Sequence, residues 1–181
     1  MRLRTHIVVG AATGLWVGGP LGGALGAFSG MIPDVDLDVG SVGRGARGLG
    51  LLGIAGGLLT GYLLRSVIAA GIAIAGGFLL LMLVRLPHRG PTHSLTMAGL
   101  WGALGWFLFR DPALAGAWAA SYLSHLFLDA LTPQGIPWLW PLSKGRLRLA
   151  HWRTGSLWDH AILMVGGIVG LGWLGWRLFG S

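Results

Sequence analysis

Apolar residues fill six long runs of the chain, and the polar and charged residues gather in the short segments between them. Each run is too long for a typical β-strand and has the length of a helix. The longer runs approach the ~20 residues that a helix needs to cross a bilayer. The pattern predicts helices in the runs Ile7–Met31, Gly48–Leu64, Ser66–Val84, Ser94–Phe109, Ala113–Leu131 and Leu157–Trp176.

The amino-acid composition indicates that these helices belong to a membrane protein. Hydrophobic residues make up 54% of the 181 residues and charged residues 10%, against roughly 25% charged in ordinary soluble domains. So few charges exclude a soluble globule of this size and an intrinsically disordered chain. No cysteine is present, which excludes disulfides and a thiol nucleophile. We expect one membrane-embedded domain over residues 1–181, crossing the cell (inner) membrane several times.

Many of the 34 glycines recur at intervals of four residues, as in Gly22, Gly26 and Gly30. Small residues at this spacing let helices approach closely in a lipid environment. We therefore assign these glycines to helix packing and not to chemistry.

The first run, which Gly18-Gly19-Pro20 interrupts, allows two topologies. As one span it carries His6 to the face opposite Asp34. As a hairpin it returns both to one face, but each arm of ~18 Å is too short to cross a ~30 Å hydrocarbon core. Such an arm pair is allowed as a re-entrant segment buried among other helices.

The distribution of Lys and Arg favours the hairpin. With the hairpin, ten of these residues lie on one side and three on the other; with a single span the division is eight against five. The positive-inside rule prefers the larger asymmetry. We predict an all-α polytopic bundle of four or five spanning helices with an N-terminal re-entrant helical hairpin. The loops 32–48, 85–93 and 132–157 then share the cytoplasmic face.

Ionisable residues near membrane helices are costly and are therefore candidates for function. His125 and Asp129 are spaced i, i+4, so one helical face presents both to a single cation. A plain His–Asp hydrogen bond between packed helices is the structural alternative.

Asp34 and Asp36 follow Pro33, and in an extended segment their side chains lie on the same side. Two carboxylates so close together favour a cation between them. Asp34 or Asp36 is also a candidate general base, and we place Asp36 among the catalytic residues. A solvated turn with a helix-capping Asp is the alternative.

The segment from His88 to Ser94 packs two imidazoles, an arginine and two hydroxyl groups into seven residues. Neutral imidazoles such as those of His88 and His93 suit zinc and similar ions. The Arg89 guanidinium has the geometry to bind a phosphate with two hydrogen bonds. A basic juxtamembrane loop with capping residues is the alternative.

Two further histidines are candidate ligands. Asp159 and His160 point about 100° apart on a helix, so we take His160 as the ligand and Asp159 as a residue that orients a ligand. His6 is a ligand only if the hairpin brings it to the same face; otherwise it is a structural histidine.

Convergence is the main argument for a metal site. Five segments deliver ligand-type side chains to one membrane face: those around His6, Asp34/Asp36, His88/His93, His125/Asp129 and Asp159/His160. The chain has no Asn and no Glu, which structural hydrogen-bond networks would also use. A His/Asp set without Cys fits a hydrolytic metal site, with one or two ions, better than a closed structural one.

Two other classes of protein stay open. An ion or proton transporter would carry polar groups through the bilayer depth, whereas 49–64 and 66–84 contain no acid and no His. A non-catalytic scaffold would use the metal only to join helices.

The net charge of +7 is explained by basic loops against anionic lipid, so we expect membrane lipid and no nucleic acid as partner. Between Pro141 and Arg153, basic and apolar residues alternate and tryptophans flank the segment. This is typical of a membrane-surface segment, which either recruits an anionic headgroup or only anchors the chain.

The candidate motifs occur along the chain in a fixed order: His6, Pro33-Asp34-x-Asp36, His88-Arg89-Gly90-x-Thr92-His93-Ser94 and Ser124-His125-x-x-x-Asp129. This order, over residues 1 to about 160, resembles the YdjM family of membrane-bound proteins regarded as metal-dependent hydrolases. That family is in turn distantly similar to the all-helical superfamily of zinc-dependent phospholipase C and single-strand nucleases.

The resemblance implies that His6, Asp34, His93, His125 and Asp129 are ligands, and that His88 and Asp36 are ligands or support them. The soluble superfamily has more than one His-x-x-x-acid pair and this chain has one, which leaves a second ion open. We expect one or two divalent ions, zinc first. A metal-activated water would hydrolyse a phosphoester of a lipid-like substrate near the cytoplasmic face, with Arg89 steadying the phosphate.

Overall fold

The computed structural model describes residues 1–36, 41–64, 67–86 and 88–179. Six α-helices and two short 3₁₀ helices, Ile32–Asp36 and Pro91–His93, account for all its named elements. In those ranges the only β pairing is an isolated bridge between Ile136 and Leu147. The prediction of an all-α chain is confirmed. The α-helices are α1 Leu3–Ser29, α2 Ser41–Leu64, α3 Val67–Val84, α4 Leu95–Phe109, α5 Pro112–Ala130 and α6 Leu157–Phe179.

The chain divides into two compact units, Met1–Pro33 with Arg89–Ser181, and Asp34–His88. In the first unit, α1 packs against α5 and α6, and α4 packs against α5. The second unit consists of α2 packed on α3. The single domain over residues 1–181 remains a prediction.

Helix α1 is a hairpin of two packed arms. Gly18 and Gly19 leave the helical conformation, and Gly19 has φ +65°, a left-handed value that favours glycine. A Cβ at Gly14 would lie 2.1 Å from the Gly22 carbonyl oxygen, and one at Gly10 would lie 2.5 Å from that of Gly26. These contacts require glycine and show that the arms run antiparallel.

Reversal of the chain brings the end of α1 back to its beginning. A Cβ at Gly30 would lie 2.8 Å from the backbone oxygen of His6. His6 and the residues that lead into the first 3₁₀ helix are therefore neighbours, as the hairpin topology requires. The re-entrant placement of this hairpin in a membrane remains a prediction.

Two described segments, Leu3–Asp34 and Leu157–Phe179, are long and apolar enough to cross a membrane. The first turns back at Gly18-Gly19, so neither of its arms alone reaches across a ~30 Å core. The number of spanning helices remains a prediction.

Capping residues set the starts of α4 and α5. The Ser94 hydroxyl accepts a hydrogen bond from the Met97 amide at 3.2 Å, and the Asp111 carboxylate accepts one from the Leu114 amide at 2.8 Å. Both side chains satisfy amides that have no partner inside the helix. The caps fix where α5, which carries His125 and Asp129, begins.

A long loop, residues 131–156, folds over the C-terminal end of α5. The Leu149 amide donates to the Ala130 carbonyl at 2.7 Å, and the Trp152 amide donates to the Leu131 carbonyl at 3.0 Å. Beside it lies a small apolar core made of Ala98, Tyr122, Leu126, Ala130 and Ile136. This core holds the polar end of α5 under the loop.

Candidate metal centre

Asp129 is the centre of a buried cluster in the first unit, and its side chain is 1% exposed. Its Oδ2 lies 3.4 Å from Nε2 of His93 and 3.7 Å from Nε2 of His125. The two Nε2 atoms lie 3.3 Å apart. Both histidines are fully buried. Three potential ligand atoms therefore face one another in a space closed to solvent.

These separations fit coordination of one small cation. Ligand atoms on a tetrahedron around zinc, with metal–nitrogen distances near 2.0–2.1 Å, are ~3.4 Å apart. Asp34, which directly follows Pro33 of the first unit, is also buried and offers a carboxylate oxygen. The ligand atoms of Asp34, His93, His125 and Asp129 all lie within 4.8 Å of one another. This buried group can hold a metal ion.

Hydrogen bonds on the far side of the rings prepare the two histidines for this role. Nδ1 of His125 lies 2.7 Å from the Gly30 carbonyl oxygen, which only accepts, so Nδ1 carries the proton and Nε2 presents its lone pair. Nδ1 of His93 lies 3.1 Å from the Thr92 hydroxyl. Metal-binding histidines are commonly oriented by a bond of this kind.

His6 joins the cluster from the first arm of α1. Its ring stacks on that of His125, with centroids 3.7 Å apart and planes inclined by 18°. Its Nε2 lies 3.3 Å from Oδ1 of Asp129. Its Nδ1 has no hydrogen-bond partner among the described residues, although the ring is fully buried. A buried imidazole with a nitrogen left unsatisfied is a candidate ligand, since burial without a partner is unfavourable.

Positive groups contact the other oxygen of Asp129. Nη2 of Arg89 lies 2.8 Å from Oδ1, and the Met1 amino nitrogen lies 2.6 Å from it. Arg89 is 5% exposed, and its Nη1 donates to the Thr132 hydroxyl. Its φ of +56° is unusual for a residue with a side chain. The two oxygens of Asp129 thus face different partners: Oδ2 faces His93 and His125, and Oδ1 faces His6 together with the two cations.

The structure does not bring His160 to this cluster. His160 is exposed, its Nδ1 lies 2.8 Å from the Ser156 carbonyl oxygen and its Nε2 lies 3.0 Å from Nη1 of Arg2. Its neighbour Asp159 is the buried member of the pair, and it accepts hydrogen bonds from the Thr5 hydroxyl and the Gly155 amide. Asp159 thus fastens the start of α1, and among the described residues its hydrogen bonds come from Thr5 and Gly155 and from no histidine.

Two further predicted residues are not part of the described cluster. His88 is exposed and belongs to the second unit. Asp36 ends the first 3₁₀ helix, and its side chain lies outside the described part of the structure. The catalytic role of Asp36 and the ligand roles of both residues remain predictions.

Sequence reasoning missed the groups that support the ligands. The Gly30 carbonyl and the Thr132 hydroxyl carry no signal of metal chemistry in the sequence. Thr132 does follow Asp129 by three residues, the spacing at which one helical turn brings side chains together. That spacing is the one signal that would have suggested it.

Comparison with known proteins supports the prediction of a membrane protein. The sequence profile of the YdjM inner membrane protein family matches residues 1–179. The inner membrane proteins YdjM of Escherichia coli (strain K12) and Shigella flexneri are each 45% identical over 69 residues, which is 34% of this chain and 34% of each relative. An uncharacterized protein, ORF4', of Methanothermobacter thermautotrophicus is 40% identical over 47 residues, or 26% of this chain and 20% of that protein.

These alignments span about a third or less of the curated relatives. No solved structure matches the chain. The family profile covers nearly all of it and therefore decides the assignment: the chain belongs to the YdjM inner membrane protein family.

Proposed function

We propose that the protein is a membrane-bound, metal-dependent hydrolase that cleaves a phosphoester of a lipid or lipid-linked substrate at the cytoplasmic face. The single observation that carries the proposal is the buried group Asp34, His93, His125 and Asp129, whose ligand atoms lie within 4.8 Å of one another. In a family of inner membrane proteins, a buried site of this kind favours a substrate that resides in the membrane.

The donor set fits a catalytic ion better than a structural one. Two imidazoles and carboxylates without any cysteine are typical of catalytic zinc and similar divalent ions. Such an ion, when bound, supplies a Lewis acid and lowers the pKa of water toward neutrality. We propose zinc as the first candidate. His6, whose Nε2 lies 3.3 Å from Oδ1 of Asp129, is a further candidate ligand.

Arg89 has the chemistry to bind the phosphate of the substrate. Its guanidinium is buried beside Asp129, and its Nε has no hydrogen-bond partner among the described residues. A planar guanidinium donates to phosphate oxygens with two parallel hydrogen bonds. Charge that develops on the phosphate during hydrolysis is stabilised by such a fixed cation. Asp34 or Asp36 would act as the general base.

Metal analysis of the purified, detergent-solubilised protein tests the proposal. We expect at least one divalent ion per chain in the wild type and little in His125→Ala and Asp129→Ala. His160→Ala is the matched control and keeps its metal, because that side chain is exposed and engaged elsewhere. The same preparations are assayed for phosphate release from phosphatidic acid and from a soluble aryl phosphate.

The outcomes separate the possible classes of protein. Wild-type protein without metal overturns the proposal. Protein that binds metal, resists its removal and releases no phosphate from either substrate is a scaffold, which also overturns it. Metal-dependent phosphate release that is lost in both variants and kept in the control supports it.

A further inference from the structure

An apolar groove lies between α1 and α6. Its volume is ≈ 700 Å³, within the range of sites that bind small molecules. Val9 and Val17 line it from α1, and Ile162 and Val169 line it from α6. The hydroxyl of Thr13, a polar side chain in its wall, already donates to the Val9 carbonyl at 2.8 Å. The lining of the groove is therefore almost entirely apolar and suits a hydrocarbon chain.

Two tryptophans close one end of the groove. The rings of Trp152 and Trp158 are stacked, with centroids 4.9 Å apart and planes inclined by 10°. Tryptophan is enriched at the boundary between lipid chains and headgroups. This end of the groove is thus where a headgroup belongs.

A second, smaller pocket has a volume of ≈ 220 Å³ and is lined by basic residues. Arg89, Arg153, Thr132 and Thr154 line it, together with Pro133 and Gln134. Two guanidinium groups and the Thr154 hydroxyl provide donors for an anion, whereas the Thr132 hydroxyl already donates to the Asp129 carbonyl oxygen at 2.8 Å. The lining residues include no carboxylate. The unpartnered Nε of the buried Arg89 adds a donor that the fold itself leaves unused among the described residues.

Arg146 forms hydrogen bonds to the backbone of two residues that line this pocket. It donates to the Arg89 carbonyl oxygen at 3.0 Å and to the Gln134 carbonyl oxygen at 2.9 Å. Partial burial lowers the pKa of the Arg146 guanidinium, and the positive charges of Arg89 and Arg148 lower it further. Arg146 and Arg148 thus add positive charge near Arg89, whose own charge is paired with Asp129, and an anion in the pocket would be attracted to this group of cations.

Consecutive residues join the groove to the pocket. Trp152 lines the groove and Arg153 lines the pocket, and their Cα atoms are ~3.8 Å apart. The Trp152 amide also donates to the Leu131 carbonyl, one residue before Thr132 of the pocket. The two cavities therefore meet at one backbone segment, with an apolar site on one side and a basic site on the other.

We propose that groove and pocket form one binding site for a membrane lipid with a phosphate headgroup. Its hydrocarbon chain lies between α1 and α6, and its phosphate lies between Arg89 and Arg153. This deepens the proposed function, on which its role as substrate rests, by assigning how the substrate is held beside Asp129. Binding itself requires no hydrolysis.

Binding of defined lipids by native mass spectrometry and by displacement of a fluorescent phosphatidic acid tests the inference. We expect one dioleoyl phosphatidic acid per chain, with dioleoylglycerol at least about tenfold weaker because it lacks the charge-assisted hydrogen bonds. Glycerol 3-phosphate, which lacks the chain, should not compete at comparable concentrations. Equal binding of the two lipids overturns the phosphate pocket, and equal competition by glycerol 3-phosphate overturns the groove.

Variants divide the site into its two parts. Arg153→Gln should weaken phosphatidic acid by about tenfold and leave dioleoylglycerol unchanged. Ala161→Phe should weaken both lipids by filling the groove. If Ala161→Phe does not fold, Val165→Phe at the exposed rim of the groove takes its place. The matched controls are Lys144→Gln, an exposed cation on the same loop, and Gly172→Phe on α6, where an added Cβ meets nothing within 4 Å.

Other occupants of the groove give different results. If Ala161→Phe or Val165→Phe leaves lipid binding unchanged but breaks up an oligomer, the groove is covered by a second copy and the inference is overturned. Lipid binding that depends on Arg153 without any phosphate release supports this inference and overturns the proposed function. If the groove and Arg153 variants still release phosphate with unchanged KM, the proposed function is supported and this inference is overturned.

Discussion

The α1 hairpin and the α2–α3 pair are built with the same packing device and differ in what they carry. In the hairpin, a Cβ at Gly26 would lie 2.3 Å from the Gly10 carbonyl oxygen; in the pair, a Cβ at Gly77 would lie 2.5 Å from that of Gly50. Both regions therefore need glycine for close contact of their backbones.

Of the described residues in these two regions, only those of the hairpin and its end contribute polar groups to the candidate site. It places His6 beside Asp129 and the Gly30 carbonyl against His125. The sequence from Gly48 to Val84 contains no Asp, Glu or His. Glycine spacing thus indicates close helix packing in both regions. A candidate functional site is indicated only by the ionisable residues at the ends of the packed segments.

The largest expected effect comes from overpacking each region in turn. Gly26→Leu should prevent the hairpin from closing and abolish metal binding, because His6 and Gly30 lose their positions. Gly77→Leu introduces a similar clash, worth at least about 1–3 kcal/mol, yet its folded fraction should keep its metal. Metal per folded chain, measured after size-exclusion chromatography, distinguishes the two. Equal loss of metal in both variants would show that the regions do not differ in this way.

A smaller effect is expected when the His6 imidazole of the hairpin is replaced by a ring without nitrogens, so that the packing of the hairpin is kept. His6→Phe preserves a ring for stacking on His125 and removes Nδ1, which has no hydrogen-bond partner among the described residues, together with the 3.3 Å contact from Nε2 to Asp129. Loss of that contact is offset by removal of an unsatisfied buried nitrogen, so stability should change by no more than about 1 kcal/mol.

Activity of His6→Phe should nevertheless fall by at least about tenfold, as is usual when a residue that tunes a metal site is removed. Thermal unfolding and phosphate release measured on the same preparation check both parts. His151→Phe, in the exposed loop, is the control and should change neither. A large loss of stability with normal activity would contradict the assignment of His6 to the site.

The smallest effect concerns how α1 is fastened. Thr5→Val removes the hydrogen bond from the Thr5 hydroxyl to Asp159, which measures 2.7 Å, and leaves that from the Gly155 amide. We expect a loss of about 1 kcal/mol in stability and a few-fold loss of activity. In α2, Gly56→Ala meets nothing within 4 Å and should stay within about 0.5 kcal/mol of the wild type. Denaturant titration resolves the difference, and a larger effect of Gly56→Ala would count against the comparison.

Much of this arrangement is encoded locally and could be predicted. Gly18-Gly19-Pro20 marks the turn of the hairpin, and the spacing of His125 and Asp129 places them on one face of α5. Both features depend on backbone geometry within a few residues, so the sequence carries them directly.

Contacts that arise from packing could not be predicted. His160 and Asp159 are adjacent, and which of them turns inward depends on how α6 packs against α1. The Arg89–Asp129 ion pair joins residues 40 positions apart. The groove between α1 and α6 likewise exists only once distant helices meet, so no local pattern announces it.

The turn at Gly18-Gly19 has a consequence for how the chain enters a membrane. In the predicted re-entrant placement, both ends of the hairpin lie on one side of the membrane, and Arg2 and Arg4 stay on the side of Asp34. A single straight span with Asp34 on that side would instead carry both arginines across the hydrocarbon interior, at a cost of several kcal/mol for each charged side chain. We therefore predict that the glycine turn removes the work of translocating charge from the insertion of α1.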